Sequence, residues 1–234
     1  KKTIISDEGS NIYSGLKKIS KKRNLNIRNI SLIEKKLHNQ LGKKFNEFQI
    51  KNLAMAILAA KICKVKEKKI FSSLKKIKSV NGRLELVRTF PNNIKVYVDF
   101  AHTPDALNKS IKSLRGEENK NISLVFGCGG DRDFKKRPLM AKIASSNCYK
   151  IYVTDDNPRN EKPEKIRDEI IKNIKNINCY NIGSREKAIK FAIKNAESNE
   201  IILIAGKGHE QYQIYKNKKL KISDKKIVRT LKLK

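Results

Sequence analysis

Long apolar runs are missing from this chain. None approaches the ~20 residues that a helix needs to span a bilayer, and no signal peptide opens the sequence, so a cytosolic protein with no membrane partner is expected. Cysteine is sparse: Cys63, Cys128, Cys148 and Cys179 lie far apart, with no CxxC pair. They read as reduced, mostly buried thiols rather than a disulfide framework. Acidic residues are also short, 23 Asp+Glu against 54 Lys+Arg, for a formal net charge of +31 over 234 residues. Such an excess normally points to nucleic acid or an anionic membrane. Here, though, the lysines are spread along the chain, on would-be solvated faces such as Lys17, Lys18, Lys21 and Lys22. RNA-binding signatures, zinc-finger spacing and a Gly-Arg tail are all absent, so no specific nucleic-acid partner is expected. A non-catalytic, polyanion-binding module stays open as the alternative class; its affinity for nucleic acid would have to survive physiological salt. A Gly-Lys-Ser/Thr phosphate loop is absent as well.

What is present changes character near Val80-Asn81-Gly82. Before that point Lys2–Asp7 and Leu25–Ile30 read as short strands, and Tyr13–Lys22 has helical spacing. Ser31–Lys44 supports no firm assignment. Asn46–Ile62 reads as a helix in which Ile50, Leu53, Ala54, Ile57, Leu58 and Ala60 leave little polar surface, so it is expected to be buried. Lys66–Ile77 reads as an amphipathic helix through Ile70, Phe71, Leu74 and Ile77. Beyond Gly82, the run Leu84, Leu86, Val87 suggests an edge hairpin. Strands at Lys95–Phe100, Ile122–Phe126, Lys150–Thr154 and Glu200–Ala205, with a weaker one near Asn178–Tyr180, then alternate with helices near Pro104–Leu114, Arg137–Ser146, Pro163–Ile174 and Ser184–Ala196. That alternation predicts an α/β fold with a mostly parallel sheet. A last helix, Asp224–Leu231, starts at Ser223 or Asp224. The expected domains are 1–81 and 82–234.

Four of these strands run into loops dense in functional groups. Asp99 to Asp105 follows the first, and Gly127 to Asp133, with two acids and Arg132, follows the second. Thr154-Asp155-Asp156-Asn157-Pro158-Arg159 follows the third, and Gly206-Lys207-Gly208-His209-Glu210 the last. In a parallel sheet all four lie on the edge where ligands bind. Carboxylates there suit an ammonium group, and an arginine fork suits a carboxylate in two parallel hydrogen bonds. Both signs in one crevice suit a zwitterion such as an amino acid. Each loop alone has a bland reading as a polar turn; four on one edge favour a binding crevice.

The same residues carry a resemblance. The segments 82–85, 99–107, 125–138, 154–159 and 205–213, in this order, resemble the C-terminal half of the Mur ligases, nearest to the branch that adds diaminopimelate. The region 42–60 resembles the end of that family's central ATPase domain. The resemblance implies a Rossmann-like C-terminal domain at 82–234, preceded by a remnant of the central domain at 1–81. It implies an ATP- and Mg²⁺-dependent ligase of peptidoglycan synthesis. Such an enzyme phosphorylates the D-glutamate carboxylate of UDP-N-acetylmuramoyl-L-alanyl-D-glutamate and joins it to meso-diaminopimelate through an amide bond. Carried over by position, Arg132 and Arg159 would hold carboxylates of diaminopimelate. Asp156, Asn157 and Glu210 would take its distal ammonium end, and Pro158 and Gly206 would complete the amino-acid site. Arg83, Asp99 and His102 would meet the nucleotide, while Lys207 and His209 are read as loop-shaping. Neither the family's phosphate loop nor its carbamylated lysine is found in these residues, so no catalytic or metal-binding residue is assigned. The chain is expected to be a C-terminal piece, inactive alone. A sister ligase, lysine-adding or folylpolyglutamate-type, remains the other enzymatic alternative; the Asp-Asn-Pro-Arg loop argues against it.

Overall fold

The structure, a computed structural model, describes residues 2–7, 9, 12–42, 45, 47–77, 80–116, 121–175 and 178–232. The chain divides into two compact units, Lys1–Ser79 and Val80–Lys234. In the first, β1 (Thr3–Ser6) and β2 (Asn26–Asn29) pair in parallel through the crossover helix α1 (Tyr13–Lys22). Three further helices follow: α2 (Ser31–Leu41), α3 (Glu47–Ile62) and α4 (Glu67–Leu74). The unassigned segment 31–44 thus contains a helix, with Leu37 buried on its inner face. Ile30, Leu37, Phe45, Ile50, Ala54, Ile57, Ile70 and Leu74 form the core of this unit.

Two expectations are corrected here. Only Ile50, Ala54 and Ile57 of α3 are buried, while Leu53, Leu58 and Ala60 are half-buried: an apolar helix at the border of a small unit has too few neighbours to cover every side. Helix α4 ends at Leu74, not Ile77, and Phe71 on it is 42% exposed. Asn46, the expected start of α3, lies outside the described residues.

The second unit holds β3 (Glu85–Phe90), β4 (Ile94–Asp99), α5 (Pro104–Arg115), β5 (Ile122–Phe126), α6 (Lys136–Asn147), β6 (Lys150–Val153) and α7 (Pro163–Ile171). It continues with β7 (Cys179–Asn181), α8 (Arg185–Lys194), β8 (Ile201–Ala205), β9 (Tyr212–Tyr215), β10 (Lys218–Lys221) and α9 (Asp224–Thr230). Six strands form one sheet in the order β3-β4-β8-β5-β6-β7. Only the β3–β4 hairpin, at one edge, is antiparallel. Helix α7 stops at Ile171, one turn before the expected Ile174, with Lys172 and Asn173 closing turns behind it. Strands β9 and β10, which sequence reading did not assign, form a separate antiparallel hairpin.

Side chains alternate across the sheet with period two. Ile122, Leu124, Phe126, Ile151, Val153, Ile201, Leu203 and Ala205 pack with residues of α5, α6 and α7 on one face. Val125, Tyr152, Ile202 and Ile204 pack with residues of α8 and α9 on the other. Strand β8 is buried along its whole length, as a central strand covered on both faces must be. Because β8 inserts between β4 and β5, the strand order reverses there, the position at which open α/β sheets bind ligands outside their carboxyl ends.

Candidate functional site

The loops after β4, β5, β6 and β8 all leave the same edge of the sheet, and tight packing holds them together. A Cβ at Gly127 would collide with the Thr154 carbonyl oxygen, and one at Gly130 with that of Pro158, so the β5 and β6 loops touch backbone to backbone. Gly206 has φ +109, a conformation L side chains rarely adopt, and a Cβ there would sit 2.7 Å from Asp156 Oδ2. Its amide donates to the Asp99 carbonyl at 3.1 Å, tying the β8 loop to the end of β4.

Within this frame the amino-acid residues anticipated from sequence come together. Asn157 Nδ2 donates to Glu210 Oε2 at 3.1 Å. The Asn157 amide oxygen accepts from Lys207 Nζ and from the Ile214 amide, each at 3.1 Å. Arg159 takes φ +51 and donates from Nη1 to the Gly130 carbonyl at 2.8 Å and to that of Asn157 at 3.3 Å. Its backbone also pairs with the β9–β10 hairpin, donating to the Ile214 carbonyl and accepting from Lys216. Arg132 is exposed, makes no hydrogen bond to a described residue, and lies with Arg159 around Gly129: a Cβ there would be 2.8 Å from Arg159 Nη1 and 3.7 Å from Arg132 Cγ. The Pro158 carbonyl accepts from Glu161. Asp156 is buried to 8% exposure and accepts no hydrogen bond from a described residue. For Glu210, burial pushes the carboxyl up, but the hydrogen bond and charge of Lys207, with help from Asn157 and His209, hold it below its ordinary range.

The neighbouring residue Asp155 faces the other way. It pairs with Arg167 and accepts from the Tyr215 hydroxyl at 2.8 Å, while Gln213 donates to its carbonyl at 2.8 Å. Burial dominates, pushing the Asp155 carboxyl up against those partners. The Tyr215 hydroxyl is raised too, by burial and by Asp155. Asp155 therefore anchors the loop to α7 and the hairpin.

Arg83, Asp99 and His102 gather around Phe100. The Arg83 guanidinium sits 4.4 Å from the centre of the Phe100 ring, and the His102 and His209 rings lie at 4.7 and 5.4 Å. Asp99 is buried and engaged: Oδ1 accepts from the amides of Leu84 (3.3 Å) and Phe100 (2.7 Å), and Oδ2 from the Ser110 hydroxyl. His102 is exposed, with Nδ1 2.8 Å from the Phe100 carbonyl. Cys128, in the glycine loop, is buried with its thiol pushed up to about 12 by that burial, which rules it out as a thiolate nucleophile.

Sequence reading missed the supports. Arg137, 1% exposed, bonds Glu161 (2.8 and 3.0 Å), Glu169 (2.7 Å) and the Gly129 carbonyl (3.3 Å). Arg185, also 1% exposed, grips Asp224 through two 2.8 Å bonds and donates to the Ala205 carbonyl at 2.9 Å, just before Gly206. Local sequence carries little trace of either, except that an arginine just inside a helix start is out of place against the positive end of the helix dipole. No group of three or more His, Cys, Asp and Glu among the described residues is arranged to hold a metal ion.

Residues 82–208 match the protein family described as Mur ligase, glutamate ligase domain. The UDP-N-acetylmuramoyl-L-alanyl-D-glutamate–2,6-diaminopimelate ligase of Rickettsia montanensis is 44% identical over 184 residues, covering 78% of this chain and 38% of the relative. The enzyme of the same name from Wigglesworthia glossinidia brevipalpis is 43% identical over 189 residues, 80% of this chain and 38% of the relative. A solved structure under that name superposes with a TM-score of 0.60 at 36% identity, over 78% of this chain and 38% of that one. The chain thus spans about two fifths of the length of these relatives.

Proposed function

This chain belongs to the Mur ligase family, and from that premise we propose that it supplies the amino-acid site of a ligase that joins meso-diaminopimelate to UDP-N-acetylmuramoyl-L-alanyl-D-glutamate. The observation that carries this reading is that two arginines and a set of carboxylates with an amide meet at the carboxyl edge of one sheet. Arg132 and Arg159 flank Gly129, while Asp156, Asn157 and Glu210 join the β6 loop to the β8 loop. Diaminopimelate has two ammonium and two carboxylate groups and so offers a counterpart to both sets. In this reading Arg132 and Arg159 take carboxylates: Arg132 has its whole guanidinium available, and Arg159 its Nη2 and Nε, since Nη1 is spent on the loop backbone. Asp156, Asn157 and Glu210 take the distal ammonium, with Gly206 and Pro158 shaping the wall. Lysine lacks the distal carboxylate and would leave an arginine unpaired, which gives strong discrimination.

For the nucleotide we assign Arg83, Asp99 and His102. The Phe100 ring with Arg83 above it and His102 at its edge presents an aromatic and cationic surface, fixed in place by the bonds to Asp99. ATP would supply the phosphoryl group that activates the acceptor carboxylate. The 234 residues contain no Gly-Lys-Ser/Thr loop, and no step of phosphoryl transfer is assigned to a residue here. What the crevice itself contributes is orientation of the attacking amine, an effect worth orders of magnitude in rate when the geometry is productive. The residues of the first unit are assigned to the end of the family's central domain. The test is calorimetric titration of meso-diaminopimelate into the chain at physiological salt, with L-lysine as the comparison. Saturable binding of the first and none of the second is expected; equal binding, or none of either, would refute the assignment.

A further inference from the structure

Lys207 stands between the two ligand-bearing loops. It is 1% exposed, yet its ammonium lies 3.1 Å from Asn157 Oδ1 and 2.9 Å from Glu210 Oε2. A fully buried ammonium needs hydrogen-bond partners, and here they come from the loops after β6 and β8. Asn157 in turn donates to the same Glu210 oxygen at 3.1 Å. Glu210 Oε2 is therefore saturated from the protein side, while Oε1 takes no hydrogen bond from a described residue on a side chain that is 37% exposed.

We propose that Lys207 is a positioning residue: it fixes Asn157 and Glu210 in one orientation and leaves Glu210 Oε1 to receive the ammonium of a ligand. This rests on the amino-acid reading above and extends it to a residue that does not itself touch the amino acid. The other charged groups facing Glu210 are His209 on its own loop and Arg185 on α8. His209 is exposed and Arg185 is held by Asp224, so among the described charged groups Lys207 alone bonds the carboxylate directly. A serine or methionine at 207 would leave the loop its glycines and remove the charge.

The experiment compares Lys207→Met and Lys207→Arg with the unaltered chain by two readouts. Carbon-detected NMR titration of the Glu210 carboxyl needs no ligand. Its midpoint is expected to rise by about one pH unit or more in Lys207→Met and to return most of the way in Lys207→Arg. Calorimetry with meso-diaminopimelate is expected to show at least tenfold weaker binding in Lys207→Met, partly rescued in Lys207→Arg. An unmoved Glu210 midpoint, or equal affinity in Lys207→Met and the unaltered chain, overturns the proposal. A raised midpoint in a chain that binds no diaminopimelate would refute the amino-acid reading and leave the positioning role supported.

Discussion

Removing Asp224 tests whether the start of the β8 loop rests on one buried ion pair. Arg185 and Asp224 are both fully shielded from solvent, joined by two 2.8 Å bonds, and Arg185 Nη1 is buried without a partner of its own. Asp224→Ala leaves a buried guanidinium with only the Ala205 carbonyl to answer it. Breaking a buried pair by removing one member costs about 3–5 kcal/mol, because the remaining charge is uncompensated. At roughly 2–4 °C per kcal/mol for a domain of this size, the unfolding midpoint should fall by about 6–20 °C. The assay is circular dichroism or calorimetric melting of the full chain, following the transition of the Val80–Lys234 unit. The double variant Arg185→Met/Asp224→Leu removes both charges and should recover most of the loss, since apolar replacements of buried pairs are often neutral or stabilising. A drop of less than about 1 kcal/mol in Asp224→Ala, or a double variant no better than the single, would refute the argument.

Arg159→Lys exchanges a planar fork for a point charge and loses the bond to the Gly130 carbonyl; diaminopimelate affinity should fall by about 1.5–3 kcal/mol, and unchanged affinity by calorimetry would contradict the role given to Arg159. Gly130→Ala drives a methyl into the Pro158 carbonyl. The loops must separate, so a loss of about 1–3 kcal/mol in stability should accompany loss of binding, both readable in a ligand thermal-shift series. Glu161 is held below its ordinary range, chiefly by its hydrogen bond to Arg137. Its depressed folded-state value means a stabilising contribution that is complete above the usual carboxylate range and lost as pH falls through the folded value. Denaturant melts should therefore show acid destabilisation that is smaller in Glu161→Gln, and identical pH profiles would count against the Arg137–Glu161 contact.

Much of the second unit is legible in the sequence. Ile122–Phe126 and Ile201–Ala205 are unbroken apolar runs, which a parallel strand covered by helices on both faces requires. The last helix starts at Ser223, as its capping residue type predicts, with the side chain accepting from the Lys226 amide. The β9–β10 hairpin was not legible: its second strand, Lys-Lys-Leu-Lys, is exposed throughout and shows no apolar alternation to detect. The overextended ends of α4 and α7 came from isoleucines that continue the apolar spacing into turns, where backbone geometry rather than periodicity sets the stop.

Sequence alone determined which loops leave the carboxyl edge of the sheet, because a strand-then-loop pattern in a parallel sheet fixes that edge. It did not determine which charges are structural. The sequence marks Lys207 as loop-shaping between two glycines, but only the fold shows its ammonium buried to 1% exposure and bonded to Asn157 and Glu210. The insertion of β8 between β4 and β5, the Arg185–Asp224 pair across 39 residues and the seating of the hairpin on Asp155 and Asn157 were decided by tertiary structure. Contacts between distant segments leave no local period in a sequence. They are selected when burial makes an unpaired charge too costly, and that cost exists only after the chain has folded.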